Sequence, residues 1–201
     1  MTTNDRLNPK SLYIIAGCNG AGKTTASLTI LPDILNCKEF VNADEIARGI
    51  SPFNPSVVAV TAGKVMIKRI NELLKQNETF AIETTLASKT FTKTIQIAQS
   101  KGYLVVLLFF WLQSIEIAKK RVEARVKCGG HHVEHDVIER RYRSGIKNLF
   151  ELYAPIVDVV NIYDNTEELE LIMMKKSKTD ELLIIDKSKY NQIGCYYAKI
   201  R

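Results

Sequence analysis

No apolar run in this 201-residue chain can cross a bilayer. The longest, Leu104 to Leu112, is less than half of the roughly 20 residues a spanning helix needs. The stretch Met1 to Lys10 is polar and has no apolar centre of the signal-peptide kind, so a cytoplasmic protein with no membrane partner is expected. Cysteine is sparse: Cys18, Cys37, Cys128 and Cys195 are scattered, with no C-x-x-C pair, as in a reduced thiol inventory. There are no internal repeats and no low-complexity runs. A guanine-reading N-K-x-D and a transporter-type L-S-G-G-Q are both missing, which argues against GTPase-switch and ABC-type readings.

What is present is 46% hydrophobic and 25% charged, the make-up of one globular domain with a sizeable core. The net charge of +6 is unevenly placed. Residues 119–147 carry nine Lys/Arg against four Asp/Glu, and residues 175–201 carry seven against three, while the remainder is slightly acidic. A uniformly basic surface would suggest nucleic acid; this distribution disfavours it. The first basic stretch suits a lid over phosphates, and the second reads as a solvated basic tail.

The organising stretch is Gly17-Cys18-Asn19-Gly20-Ala21-Gly22-Lys23-Thr24-Thr25, which fits G-x-x-x-x-G-K-[ST]. It lies between a strand-like run, Leu12 to Ala16, and a helical segment from about Lys23 to Leu31 that stops at Pro32. That is the setting in which glycines let backbone N–H groups curl around phosphates, with the positive helix N-terminus behind them. Lys23 is expected to reach the terminal phosphates and Thr24 to ligate Mg²⁺, so ATP (or GTP) and Mg²⁺ are the expected cofactors. Cys18 sits at a variable loop position where the backbone does the binding.

Further strands are expected over 39–43, 79–85, 103–112 and 159–163, alternating with helices over 44–47, 56–76, 89–100, 114–127 and 134–153. This alternation predicts an α/β P-loop fold, a five-stranded parallel sheet with helices on both faces, in a single domain over 1–201. A helical lid is expected over about 114–153. A basic tail over about 169–201 is expected to carry a C-terminal β-hairpin, Leu169 to Met174 with Glu181 to Ile185. Asp186 after that last run imitates a Walker B acid, but its place in the hairpin makes it a decoy.

Ligands of an open parallel sheet bind beyond the carboxyl ends of its strands. Gly17, Asp44 and Glu83 each follow a different strand, so three separate stretches converge on one crevice. Asp44 is the candidate base for an attacking hydroxyl; the plainer role is to N-cap the helix it opens. Glu83 is placed either to support Mg²⁺ or to orient an acceptor, and Thr84 and Thr85 beside it are candidate acceptor contacts. Arg121 and Arg125 share a helix face, and Arg140, Arg141 and Arg143 follow after Gly129-Gly130. About two of these arginines are expected to face the transferring phosphate, and the others to pair with Glu123 and Glu139. Cys128, His131, His132 and His135 crowd four potential ligands into eight residues, which would strain a closed zinc site, and read as a polar lid tip.

In five segments, I-I-A-G-C-N-G-A-G-K-T-T, F-V-N-A-D-E-I-A, F-A-I-E-T-T-L, R-V-E-A-R-V-K-C-G-G-H-H-V and E-R-R-Y-R-S-G-I-K-N-L, the chain resembles the zeta-toxin family of P-loop kinases in its short form. The resemblance spans most of residues 12–165. It implies an adenylate-kinase-like fold. It also implies phosphorylation by ATP or GTP of the sugar 3′-hydroxyl of UDP-N-acetylglucosamine, and an antitoxin protein that blocks the nucleotide site. Carried over, Lys23 and Thr24 match the P-loop residues, Asp44 the base and Glu83 the essential strand-end acid. Arg121 and Arg125 match the lid arginines best, with Arg141 a third candidate. The G-G-H-H insertion departs from the larger toxins and leaves the acceptor open between a UDP-sugar, another nucleotide and another small hydroxyl compound. The competing reading is a binding module or ATPase whose nucleotide state controls a macromolecule such as nucleic acid.

Overall fold

A computed structural model describes residues 9–130, 132–176, 179 and 181–200. Fourteen regular elements alternate along the chain: β1 (Ser11–Ala16), α1 (Lys23–Thr29), β2 (Glu39–Val41), α2 (Ala43–Ile50), α3 (Ala59–Gln76), β3 (Phe80–Thr84), α4 (Thr92–Ser100), β4 (Leu104–Trp111), α5 (Ile115–Lys127), α6 (His135–Asn148), β5 (Val159–Asp164), β6 (Glu170–Lys176), β7 (Glu181–Ile184) and α7 (Lys187–Ile200). The strands form one seven-stranded sheet in the order β2-β3-β1-β4-β5-β6-β7. The first five strands are parallel, and β6 and β7 continue the sheet antiparallel. The expected parallel core and C-terminal hairpin are therefore both present. No helix among the described residues is long and apolar enough to cross a membrane.

The strands at the centre are uninterrupted apolar runs because helices cover both faces. In β4, every residue from Val105 to Trp111 is buried, and in β1 and β3 the side chains of Leu12, Ile14, Ile15, Phe80 and Ile82 are fully shielded. The register brings the strand ends level. Ala16 pairs with both Thr84 and Phe109, and Trp111 pairs with Asp164, so β1, β3, β4 and β5 end along one edge. Every loop that leaves this edge therefore starts on the same side of the molecule.

Three local details differ from the sequence reading. The first helix does not stop at Pro32: a wide π-type turn, Ile30–Ile34, extends it and accommodates a residue with no N–H to donate. Asp44 does not cap α2; Asn42 does, its Oδ1 accepting from the N–H groups of Asp44 (2.8 Å) and Glu45 (3.4 Å). The basic tail is not simply solvated. It ends in the helix α7, whose Ile193 is fully buried and whose Tyr196 and Tyr197 pack against Tyr142 and Phe150.

Candidate functional site

The loop after β1 turns so tightly that its last glycine has no substitute. Gly22 adopts φ +78°, and a Cβ there would stand 2.4 Å from the Asn165 Nδ2. That amide donates to the Ala21 carbonyl (2.8 Å), so the segment after β5 holds the loop from one side. Lys23 opens α1 and its side chain folds back over the loop, donating from Nζ to the Cys18 carbonyl at 3.0 Å. On the other side stands Glu83, from the end of β3. Its Oε1 lies 3.5 Å from Lys23 Nζ, and both side chains are largely buried, at 7% and 9% exposed.

Glu83 gathers more than the lysine. Its Oε2 accepts from the Thr24 hydroxyl (2.8 Å) and from the Asn42 amide (2.8 Å). Asn42 thus has two tasks: its oxygen caps α2 and its nitrogen ties that helix start to the β3 acid. Asp44, two residues on, is exposed, and its N–H is held by the same Asn42. The hydroxyl of Thr24 and the carboxylate of Glu83 are hard oxygen donors side by side, a set that suits Mg²⁺.

The arginines divide. Arg141, on α6, reaches across the loop to donate to the Asn19 Oδ1 (2.9 Å), and Asn19 itself is buried. Burial pushes the Arg141 pKa down, the nearby Asp44 charge pushes it back up and Arg140 lowers it, for a net fall from the ordinary value. Arg141 therefore bonds to the P-loop and lies within electrostatic reach of Asp44. Arg121, on α5, is directed elsewhere: its fork donates to the carbonyls of Asn165 and Thr166, both at 2.7 Å. Arg125 lies one turn on, with its stem against Gly130, where a Cβ would come within 2.4 Å of its Cγ. Arg143 pairs with Glu139 on its own helix at 2.9 Å.

Thr84 and Thr85 form the β3 exit. The Thr84 hydroxyl accepts from Leu86 N–H (3.1 Å), where the backbone turns through φ +54°, and the Thr85 carbonyl faces Gly145 of α6. Thr25 lies exposed on α1. The Cys18 thiol is buried beneath the loop; burial pushes its pKa up to about 11 although Lys23 and Arg121 pull the other way. Of the lid-tip residues, His132 faces Glu134 (3.2 Å) and His135 faces Glu123 (2.9 Å), while His131 lies outside the described residues.

Of the expected lid, α5 is held through Arg121 to the segment after β5, and α6 is held to the loops that leave β3 and β4. Tyr142 donates to the Leu112 carbonyl (2.5 Å), Asn148 to that of Leu86 (2.6 Å), and Tyr153, just after α6, to that of Ser88 (2.6 Å). Sequence reasoning missed Asn42 and Asn165. The first was signalled by its place directly before a helix, the second by its place directly after a parallel strand.

The model of the family described as Zeta toxin matches residues 1–177. An uncharacterized protein of Haemophilus influenzae is 32% identical over 126 residues, 63% of this chain and 88% of that one. Among solved structures, AvrRxo1-ORF1 in complex with AvrRxo1-ORF2, with sulphate ions, superposes with a TM-score of 0.74 at 14% identity. That match covers 91% of this chain, which spans only 63% of the other's length. The same pair crystallised with ATP gives 0.71 at 15% identity, again covering 91% and 63%. The PezAT chromosomal toxin-antitoxin system of Streptococcus pneumoniae gives 0.62 at 18% identity, covering 99% of this chain and 91% of that one. At such identities the structural likeness establishes the fold.

Proposed function

This chain belongs to the Zeta toxin family, and from that premise we propose that it transfers the γ-phosphoryl group of ATP to a hydroxyl of a small molecule, with a UDP-amino sugar such as UDP-N-acetylglucosamine as the acceptor class. The observation that carries the reading is Glu83. One carboxylate at the end of β3 holds the P-loop lysine, the P-loop threonine and the Asn42 that starts the Asp44 helix. A nucleotide-binding loop alone would serve any NTPase; a loop wired to an acid beside a second, open carboxylate suits a hydroxyl acceptor.

In the reaction, the P-loop backbone and Lys23 hold the β- and γ-phosphates, so Lys23 exchanges the Cys18 carbonyl for phosphate oxygen. Thr24 and Glu83 would hold Mg²⁺, which neutralises charge on the triphosphate. Asp44 takes the proton of the acceptor hydroxyl as its oxygen bonds to the γ-phosphorus, and the bond to the bridging oxygen breaks to release ADP. Arg141, facing both Asn19 and Asp44, covers the developing negative charge. Arg121 holds the far wall of the nucleotide site through Asn165. By analogy with the PezAT toxin-antitoxin system, an antitoxin protein is the partner expected to control access to the nucleotide.

The reading is tested by Asp44→Asn, which keeps the shape of the exposed side chain and removes its basicity. Acceptor-dependent turnover should fall by about 10²–10⁴-fold, with ATP affinity within about threefold of wild type, measured by rapid-quench assay and equilibrium binding. Retained turnover would remove Asp44 as the base.

A further inference from the structure

The Zeta toxin match ends at residue 177, yet the chain goes on through β7 and α7. The helix is anchored at a telling place. Lys189 Nζ lies 3.0 Å from Asp164 Oδ2 and 2.5 Å from Glu170 Oε2. Asp164, the last residue of β5, is only 2% exposed. It also accepts from the Gln113 amide (2.8 Å), the Thr166 N–H (2.9 Å) and the Thr166 hydroxyl. A carboxylate so buried is costly to leave without a cation, and Lys189 is the one that α7 brings to it.

From Asp164 the contacts run straight to the P-loop. The next residue, Asn165, donates its amide to the Ala21 carbonyl (2.8 Å) beneath Gly22, and its own N–H donates to the Trp111 carbonyl (3.0 Å). The carbonyls of Asn165 and Thr166 hold the Arg121 guanidinium. The Thr166 hydroxyl, bonded to Asp164, accepts from Gln113 N–H (3.1 Å). One short segment, 164–166, is thus fixed by α7 on one side and supports the phosphate-binding loop on the other.

We propose that α7 is a working part of the nucleotide site, with Lys189 as a positioning residue that acts through Asp164 and Asn165 on the P-loop. The proposal rests on the reading of that loop as the ATP site, not on the identity of the acceptor. Loss of the Lys189 charge frees the 164–166 segment, and the cost falls on nucleotide affinity and not on the transfer step, because Lys23, Glu83 and Asp44 lie on the opposite flank.

The test uses the full chain and Mg·ATP as the probe, with equilibrium binding, steady-state kinetics and thermal melting on each variant. Lys189→Met should raise the Kd and KM for ATP about tenfold with kcat within about twofold, and Lys189→Arg should restore most of the affinity. Lys176→Met, which breaks the exposed pair with Glu181 between β6 and β7, should leave Kd unchanged. Asn165→Ala, with α7 intact, should reproduce the affinity loss, and it serves should Lys189→Met fail to fold. An unchanged ATP Kd in Lys189→Met with a lowered melting temperature, or no effect of Asn165→Ala, overturns the proposal. ATP binding that depends on Lys189 in a protein that phosphorylates no acceptor would refute the proposed function and leave this inference standing.

Discussion

The two flanks of the phosphate-binding loop carry similar residue types and use them differently. On the β3 side, Lys23, Thr24 and Asn42 each bring a side-chain group to the Glu83 carboxylate, and Asp44 is exposed. On the β5 side, Arg121, Asn165 and Asp164 direct their polar groups at backbone carbonyls, N–H groups and the Lys189 ammonium. Side-chain pairs can exchange partners when a ligand with phosphate oxygens arrives; groups bonded to backbone are fixed by the fold. In the proposed reaction the β3 flank meets the substrate and the β5 flank holds the loop in shape. Arg141 and Arg121 show the contrast within one residue type. Arg141 contacts the Asn19 side chain and feels Asp44, whereas Arg121 grips two carbonyls.

Substituting the two arginines is the sharpest way to break this comparison. Arg141→Ala should lower kcat by about 10²–10³-fold with ATP affinity little changed. Arg121→Ala should act on ATP affinity and thermal stability and leave kcat within about threefold. The reverse pattern in steady-state kinetics would exchange the roles of the flanks. A smaller effect is expected where α6 meets the β3 exit. A Cβ at Gly145 would stand 2.7 Å from the Thr85 carbonyl, so Gly145→Ala must push α6, and Arg141 with it, away from the crevice. It should cost about 1–3 kcal/mol, read as a lower denaturation midpoint together with reduced turnover.

The least change is expected from the thiols. Cys18 and Cys37 are buried, and desolvation pushes both up to about 11, whereas Cys128 and Cys195 are exposed. In native protein at pH 8 a thiol reagent should modify the exposed pair quickly and the buried pair only on unfolding. The unfolded thiols ionise near the ordinary value of 9.0 while the folded ones keep their protons to about 11. Stability should therefore fall as pH rises between these values, and Cys18→Ser should flatten that slope in a melting series.

Much of this was legible in the sequence, and the reason is local. The P-loop and the strands of the parallel core each occupy a contiguous stretch, so Lys23 and Thr24 could be named from spacing and Glu83 from its place at a strand end. What depended on distant partners could not. Arg121 and Arg141 are alike as residues in basic helices; their division rests on carbonyls 44 and 45 positions away and on an asparagine 122 positions away. The α7 helix lay between these cases. Tyr190, Ile193, Tyr197 and Ile200 repeat at helical spacing, but the lysines around them drew the reading towards a solvated tail.

The destination of the γ-phosphate decides most. Wild-type protein should be incubated with γ-labelled ATP, Mg²⁺ and a panel of UDP-sugars, nucleosides and single-stranded RNA, and the label counted in small-molecule product and in inorganic phosphate. A small-molecule kinase puts the label in a sugar nucleotide, formed only when that acceptor is present. Label found wholly in inorganic phosphate, with release stimulated by RNA and by none of the small acceptors, would contradict the proposed transfer.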